Sequence, residues 1–319
     1  MKTLWKIFLS LVGLALICGN PAQAQEVTEA PEASPAAPAT AHDLTDTLAR
    51  IKKDGQIRVG HRESPPFSYY DHVMNVVGYS QDYSNLIVEA VKKETGLSDL
   101  AVTMVPLNSS NRIPLLQNGS YDFECGTTTN NLERQKHLAF SNTIFIVGTR
   151  LLTRRDSGIN DFDDLKGKKV IVIKGTTSEE LLAEMNARKN MGIEIIATSD
   201  EGGDLYQMRM VESGEAAAFF YDDAVMAGER VMANNPGDLV IVGTPQSFEA
   251  YGCMFRKGDA RFKKVLDEAI AQAQTSGAAL ESYNKWFMNP IPPDNVNLEY
   301  PLSDPMRDIF ANPNDKAFQ

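Results

Sequence analysis

Histidine and cysteine are scarce, with four and three residues among 319. His42, His61, His72 and His137 lack metal-ligand spacing and no C-x-x-C pair occurs, so the common zinc and redox-motif readings drop out. No G-x-S-x-G, H-E-x-x-H, G-x-G-x-x-G or P-loop is present, and "GTTSEE" lacks the G-K-[ST] ending of a phosphate loop. No motif therefore calls for a cofactor, a metal or a catalytic residue. Basic blocks and aromatic-basic interleaving are also missing, and the formal charge is −11, which excludes a nucleic-acid partner. The apolar run at residues 7–18 is shorter than the ~18 residues that suggest a membrane span.

What is present at the N-terminus points to export. Lys2 and Lys6 precede that apolar run, and Ala22-Gln23-Ala24 follows as an A-x-A site. Residues 1–24 thus read as a signal peptide cleaved after Ala24, directing the chain to the periplasm. Lipidation at Cys18 is the alternative, disfavoured by the bulky Ile17 before it. Residues 25–41, "QEVTEAPEASPAAPATA", are rich in Ala, Pro and Glu without apolar periodicity, and read as a disordered tether. Beyond Cys18, only Cys125 and Cys253 remain. They are either a reactive or metal-binding thiol pair or one structural disulfide, which an oxidising compartment favours.

From "LTDTLARIKKDG" onward, strand and helix patterns alternate: "QIRVGH", "QDYSNLIVEAVKKETG", "LAVTMVPL", "NRIPLLQNG", "YDFECG", and so on to the long helix "DARFKKVLDEAIAQAQTSG". Gly55 and Gly96 are helix stop signals, and Thr/Ser caps open "TTSEELLAEMNAR". The Pro- and Asn-rich tail at 288–319 reads as mostly irregular. The result is an α/β chain of two similar halves. Ligands of open α/β sheets bind beyond the strand carboxyl ends. "HRES", "NSSNR", "CGTTTNN", "KGTTSE" and "YDDA" all fall there.

Four of these loops offer small hydroxyl or amide donors, with Arg62, Arg112 and Arg134 close by in sequence. Such groups bind anions, and arginine adds a charge-assisted bond to a carboxylate. Asp222-Asp223 suits a cationic amino group. Taken singly, each has an ordinary structural role: Thr127–Asn130 as a cap and turn, Thr176–Ser178 as an N-cap cluster, Asp222 as the cap of the next helix, and Phe67, Tyr69 and Tyr70 as packing. Their coincidence at strand ends is the functional signal. It describes a ligand with anionic ends and one cationic centre, for which an acidic amino acid is the natural candidate.

"GHRESPPFSYYD", "VVGYSQDYSN", "NRIPLLQNGSYDFECGTTTNNLERQ", "DLKGKKVIVIKGTTSE", "DDAVMAGER", "EAYGCMFRKGD" and "NPIPP" together resemble the periplasmic glutamate/aspartate-binding proteins of polar amino-acid ABC transporters. The resemblance runs from about Leu44 to the C-terminus. It implies a type II periplasmic binding-protein fold, two α/β lobes joined by two hinge strands. Lobe 1 would comprise 42–146 plus 248–319 and lobe 2 would comprise 147–247, with crossings near 147–149 and 246–248. It further implies a monomer that binds L-glutamate or L-aspartate and serves an inner-membrane ABC permease. By the same resemblance, Thr127, Thr129, Arg134 and Thr177 clamp the α-carboxylate and Asp222 meets the α-amino group. Arg62, Ser109 and Arg112 form the side-chain carboxylate pocket, and Cys125 and Cys253 form an intralobe disulfide. The chain departs from the family where close relatives carry a histidine in a "DHGDS"-like loop. Here that loop is "SDEGGDLYQ", Ser199 to Gln207, and an Asp or Glu entering the pocket from it would weaken acidic-ligand binding. Two other readings of the chain are an exported dehydratase-like enzyme on the same scaffold, using Glu124 or Glu201 as acid or base, and a ligand-presenting sensory module.

Overall fold

The computed structural model describes residues 46–317 except 202 and 204, so the signal peptide and tether lie outside the described residues. The chain opens with helix α1 (Thr47–Asp54), strand β1 (Gln56–His61), a short β2 (Tyr69–Tyr70) and β3 (Val76–Val77), then α2 (Tyr79–Thr95), β4 (Ala101–Pro106), α3 (Arg112–Gln117), β5 (Phe123–Glu124) and α4 (Leu132–Gln135). The long strand β6 (Leu138–Arg154) leads to β7 (Lys169–Ile173), α5 (Thr177–Lys189), β8 (Glu194–Thr198), α6 (Leu205–Ser213), β9 (Ala218–Asp222), α7 (Asp223–Arg230) and β10 (Leu239–Val242). It returns through β11 (Phe248–Arg256), α8 (Ala260–Ser276), α9 (Ala278–Phe287), β12 (Pro290–Ile291), β13 (Val296–Asn297) and α10 (Asp304–Ala311).

Local chemistry sets several of these limits. Asp46 caps α1 by accepting from the Ala49 N–H at 3.0 Å, and Gly55 ends it at φ 66°, a left-handed conformation that suits glycine. Gly96 ends α2 in the same way at φ 73°. Thr176 caps α5 by accepting from the Glu179 N–H.

The main sheet runs β4-β1-β5-β11-β6-β9-β7-β8, with β10 also paired to β6. β6 is the strand both halves share. Its first part pairs antiparallel with β11, as far as Gly148 opposite Phe248. Its last part pairs antiparallel with β9, from Thr149 opposite Asp222 to Thr153 opposite Ala218, and with β10. The two pairings meet between adjacent residues, Gly148 and Thr149, so a single strand carries the chain from one parallel βα assembly to the other.

The first half buries an aromatic core. Phe67 meets Phe145 at 4.9 Å and Tyr251 at 5.5 Å between ring centroids, and Tyr283 stacks on Phe287 at 4.7 Å. Each such ring contributes about 1.5–3 kcal/mol when removed from water. Phe67 and Tyr69 therefore pack in the interior. In the second half Val170, Val172, Leu182, Phe162 and Phe220 form a separate cluster. Cys125, just past β5, is bonded to Cys253 of β11 (S–S 2.05 Å), beside the Met254–Glu124 register pair.

The tail departs from its irregular sequence reading, because β12 pairs with β13 and α10 forms. Ser303 caps α10 by accepting from the Met306 N–H at 3.3 Å, a proline occupies its first turn, and Met306, Ile309 and Phe310 make a buried face at i, i+3, i+4. That signal is local and was masked by the surrounding Pro and Asn. The β2–β3 hairpin inside "SYYDHVMNVVG" is likewise a short element that composition does not announce.

Candidate functional site

The strand-end loops converge. Arg62 follows β1, Ser109 follows β4, Arg112 opens α3, Thr127 to Thr129 follow β5, Thr177 opens α5 and Asp222 ends β9. Parallel β1, β4 and β5 deliver their carboxyl ends to one edge, which brings together arginines separated by tens of residues in the sequence.

Three polar groupings result. In the first, buried Arg62 donates through Nη1 to Asp200 Oδ2 at 3.0 Å and through Nη2 to the Thr127 hydroxyl. The Ser109 N–H lies 3.0 Å from both Asp200 oxygens, and the Ser109 hydroxyl donates to Oδ2 at 2.6 Å. Burial pushes Asp200 upward, but Arg62, the two Ser109 donors and Arg112 outweigh it and hold the carboxyl below its ordinary value. Arg112 is also buried, donating to the Thr128 hydroxyl at 2.8 Å, and that hydroxyl donates to Glu124 at 3.0 Å.

In the second grouping, Thr129 and Thr177 both donate their hydroxyls to Glu249 Oε2, Thr177 at 2.7 Å. Arg134 donates to the Thr129 carbonyl at 2.9 Å. Burial, with Arg112 nearby, lowers Arg134 to about 10, against the pull of Glu249. The third grouping surrounds Asp222. Its two carboxyl oxygens accept from the Tyr251 and Thr149 hydroxyls, both neutral. Burial and then Glu249 hold Asp222 well above its ordinary value.

The carboxyl ends of β1, β4 and β5 face those of β7 and β9 at the middle of β6, beside Gly148 and Thr149, and all eight sequence-derived candidates (Arg62, Ser109, Arg112, Thr127, Thr129, Arg134, Thr177 and Asp222) lie on the segments at or following these strand ends. Thr127 lies with Arg62, whereas the resemblance groups it with Thr129. Asn131 is a helix cap, its Oδ1 accepting from the Arg134 N–H at 2.8 Å, and Asn130 ties the loop to Gln135 and to the Asp315 carbonyl. Glu201 is exposed, and Glu124 is held by Thr128.

Sequence reasoning did not assign Asp200, Glu249, Thr149 or Tyr251. Asp200 sits in the loop singled out for its missing histidine. Glu249 and Tyr251 lie in "EAYGC" among alternating strand residues, and no local signal separates them from sheet-surface positions. Among the described residues no group of three or more His, Cys, Asp or Glu is placed to hold a metal ion, and no helix is long and apolar enough to cross a membrane.

These are arginine, hydroxyl and backbone N–H donors of the kind that bind anions, with Asp200 and Glu249 as carboxylate partners of several of them. The chain is 60% identical over 272 residues to a "Glutamate/aspartate import solute-binding protein" of Salmonella typhimurium, covering 85% of this chain and 89% of that protein. Its namesake in Escherichia coli is 54% identical, covering 97% of each chain. The "L-glutamate/L-aspartate-binding protein" of Pseudomonas aeruginosa is 52% identical, covering 88% and 93%. Among solved structures, an ancestral arginine-binding protein bound to arginine superposes with a TM-score of 0.64 at 29% identity, covering 73% of this chain and 98% of its own. An ancestral amino acid-binding protein described as a precursor of cyclohexadienyl dehydratase gives the same score and identity, covering 76% and 99%. The fold is that of the type II periplasmic binding proteins. The family model of bacterial extracellular solute-binding proteins, family 3, matches residues 57–289, and the chain belongs to that family.

Proposed function

We propose that this protein captures L-glutamate or L-aspartate in the cleft between its two halves and presents it to an inner-membrane ABC permease. Lobe 1 is 42–146 with 248–319 and lobe 2 is 147–247. The crossings at 147–149 and 246–248 act as hinges, a common device for closure around a ligand. The protein works as a periplasmic monomer, exported by residues 1–24 and released after Ala24.

One observation carries the reading. Asp222 is a buried carboxyl whose hydrogen-bond partners are both neutral hydroxyls, and it ends β9 where the facing half presents Arg62 after β1, Arg112 after β4 and Arg134 after β5. An acidic amino acid complements that pattern, with its ammonium at Asp222 and its α-carboxylate at Arg134, Thr129 and Thr177. Its distal carboxylate goes to Arg62, Ser109 and Arg112, with Thr127 between the two anion sites. Relatives at 52–60% identity bear glutamate/aspartate names, which supports the same ligand class.

Calorimetric titration of ligand-stripped protein tests the proposal. Saturable one-site binding of glutamate or aspartate is expected. Folded protein that takes up neither acid would refute it.

A further inference from the structure

Asp200 is made by this chain, yet it occupies the pocket that the proposed function assigns to a ligand's distal carboxylate. Its oxygens take up the Arg62 guanidinium at 3.0 Å and both Ser109 donors, the N–H at 3.0 Å and the hydroxyl at 2.6 Å. The carboxyl is buried, 3% exposed. It arrives from beyond β8, 138 residues from Arg62 and 91 from Ser109, so the contact joins opposite halves of the molecule.

We infer that Asp200 is a tethered competitor of the ligand's distal carboxylate, and that it sets how strongly the site distinguishes acidic amino acids from their amides. Ser109 has one N–H and one O–H to offer, and Asp200 uses both. A second carboxylate reaching these donors must move Asp200 aside, or else two like charges lie side by side in the pocket of Arg62 and Arg112. A carboxamide meets no such conflict. Its NH2 group donates to the Asp200 carboxylate, which carries further lone pairs, and its carbonyl accepts from Arg112. The resident carboxylate therefore penalises acidic ligands and accepts a hydrogen bond from amide ligands.

The inference rests on the reading of Arg62, Ser109 and Arg112 as the distal pocket. Asp200→Asn tests it, because asparagine keeps one carbonyl acceptor for the Ser109 donors while replacing the charged second oxygen by a neutral NH2 group. Wild type and variant, each shown folded by circular dichroism, are titrated with glutamate, aspartate, glutamine and asparagine. The variant is expected to bind the two acids about tenfold tighter or more, the lower range for one charge-assisted hydrogen bond. The amides should weaken, because their NH2 group loses its charged acceptor, so the acid-to-amide ratio rises further. Asp200→Ala should shift the acid-to-amide ratio in the same direction. Unchanged or weaker acid binding in both variants, with wild type still binding acids, overturns this inference alone. If neither wild type nor variant binds any acid, the functional reading falls with it.

Discussion

Asp222→Asn probes the ammonium subsite. In the unliganded protein, burial and then Glu249 raise the pKa of Asp222 well above its ordinary value, and its partners Tyr251 and Thr149 are uncharged. An arriving ammonium favours the carboxylate and draws that pKa back down. Binding by the wild type should therefore release a proton at pH values between the liganded and the unliganded pKa of Asp222, and affinity should rise with pH there by up to tenfold per unit. Asparagine resembles the protonated acid in size and neutrality, so the empty site should remain folded. It cannot form the charge-assisted bond, worth about 1.5–3 kcal/mol, so affinity should fall roughly 10- to 150-fold. The pH dependence should disappear with it. The assay is calorimetry in two buffers of different ionisation enthalpy between pH 5 and 8, whose difference in heat counts the protons released. Stability of the unliganded protein runs the opposite way. The folded-state pKa lies above the unfolded value, so unliganded protein should lose stability as pH rises between the two, and ligand should restore it. Equal heats in both buffers, together with unimpaired binding by the variant, would refute the reasoning.

Further consequences concern the anion sites and the fold. Arg112→Ala should weaken acidic ligands about 30- to 150-fold in titration, from a side-chain pair worth about 2–3 kcal/mol, while the amides change much less. Thr177→Val removes one neutral hydroxyl that now donates to Glu249, and should lower affinity only about 2- to 13-fold, the range for an uncharged hydrogen bond. Replacing Cys125 and Cys253 by serine opens a loop spanning 128 residues and should lower unfolding free energy by about 4–5 kcal/mol in urea titration, with a smaller change in affinity at temperatures where the protein stays folded.

Much of the architecture is legible because its determinants are local. Gly55, Gly96 and Thr176 mark helix limits by backbone conformation or capping, and these need no tertiary information. The candidate site loops are legible for a related reason. Hydroxyl and arginine clusters recur after strands, and a parallel sheet sends strand ends to one edge. What escapes is set by distance. Asp200 meets Arg62 and Ser109 only because the loop after β8 folds against those after β1 and β4, and nothing in "SDEGG" specifies Arg62 as its partner. Glu249 is read as a strand residue until folding brings Thr129 and Thr177, from opposite halves, onto one of its oxygens. Tyr251 is similar, since its ring packs against Phe67 while its hydroxyl reaches Asp222. In α10 the failure is one of weighting, because a clear cap and apolar face lie inside a segment whose composition suggests irregular structure.

A crystal structure of the protein grown with millimolar glutamate would show where the ligand sits. The account predicts one glutamate in the cleft, with its α-carboxylate on Arg134, Thr129 and Thr177 and its ammonium on Asp222. The distal carboxylate should lie on Arg62, Ser109 and Arg112, with Asp200 moved off the Ser109 donors. Glutamate bound elsewhere, or a cleft without it in crystals of folded protein at that concentration, would contradict the account.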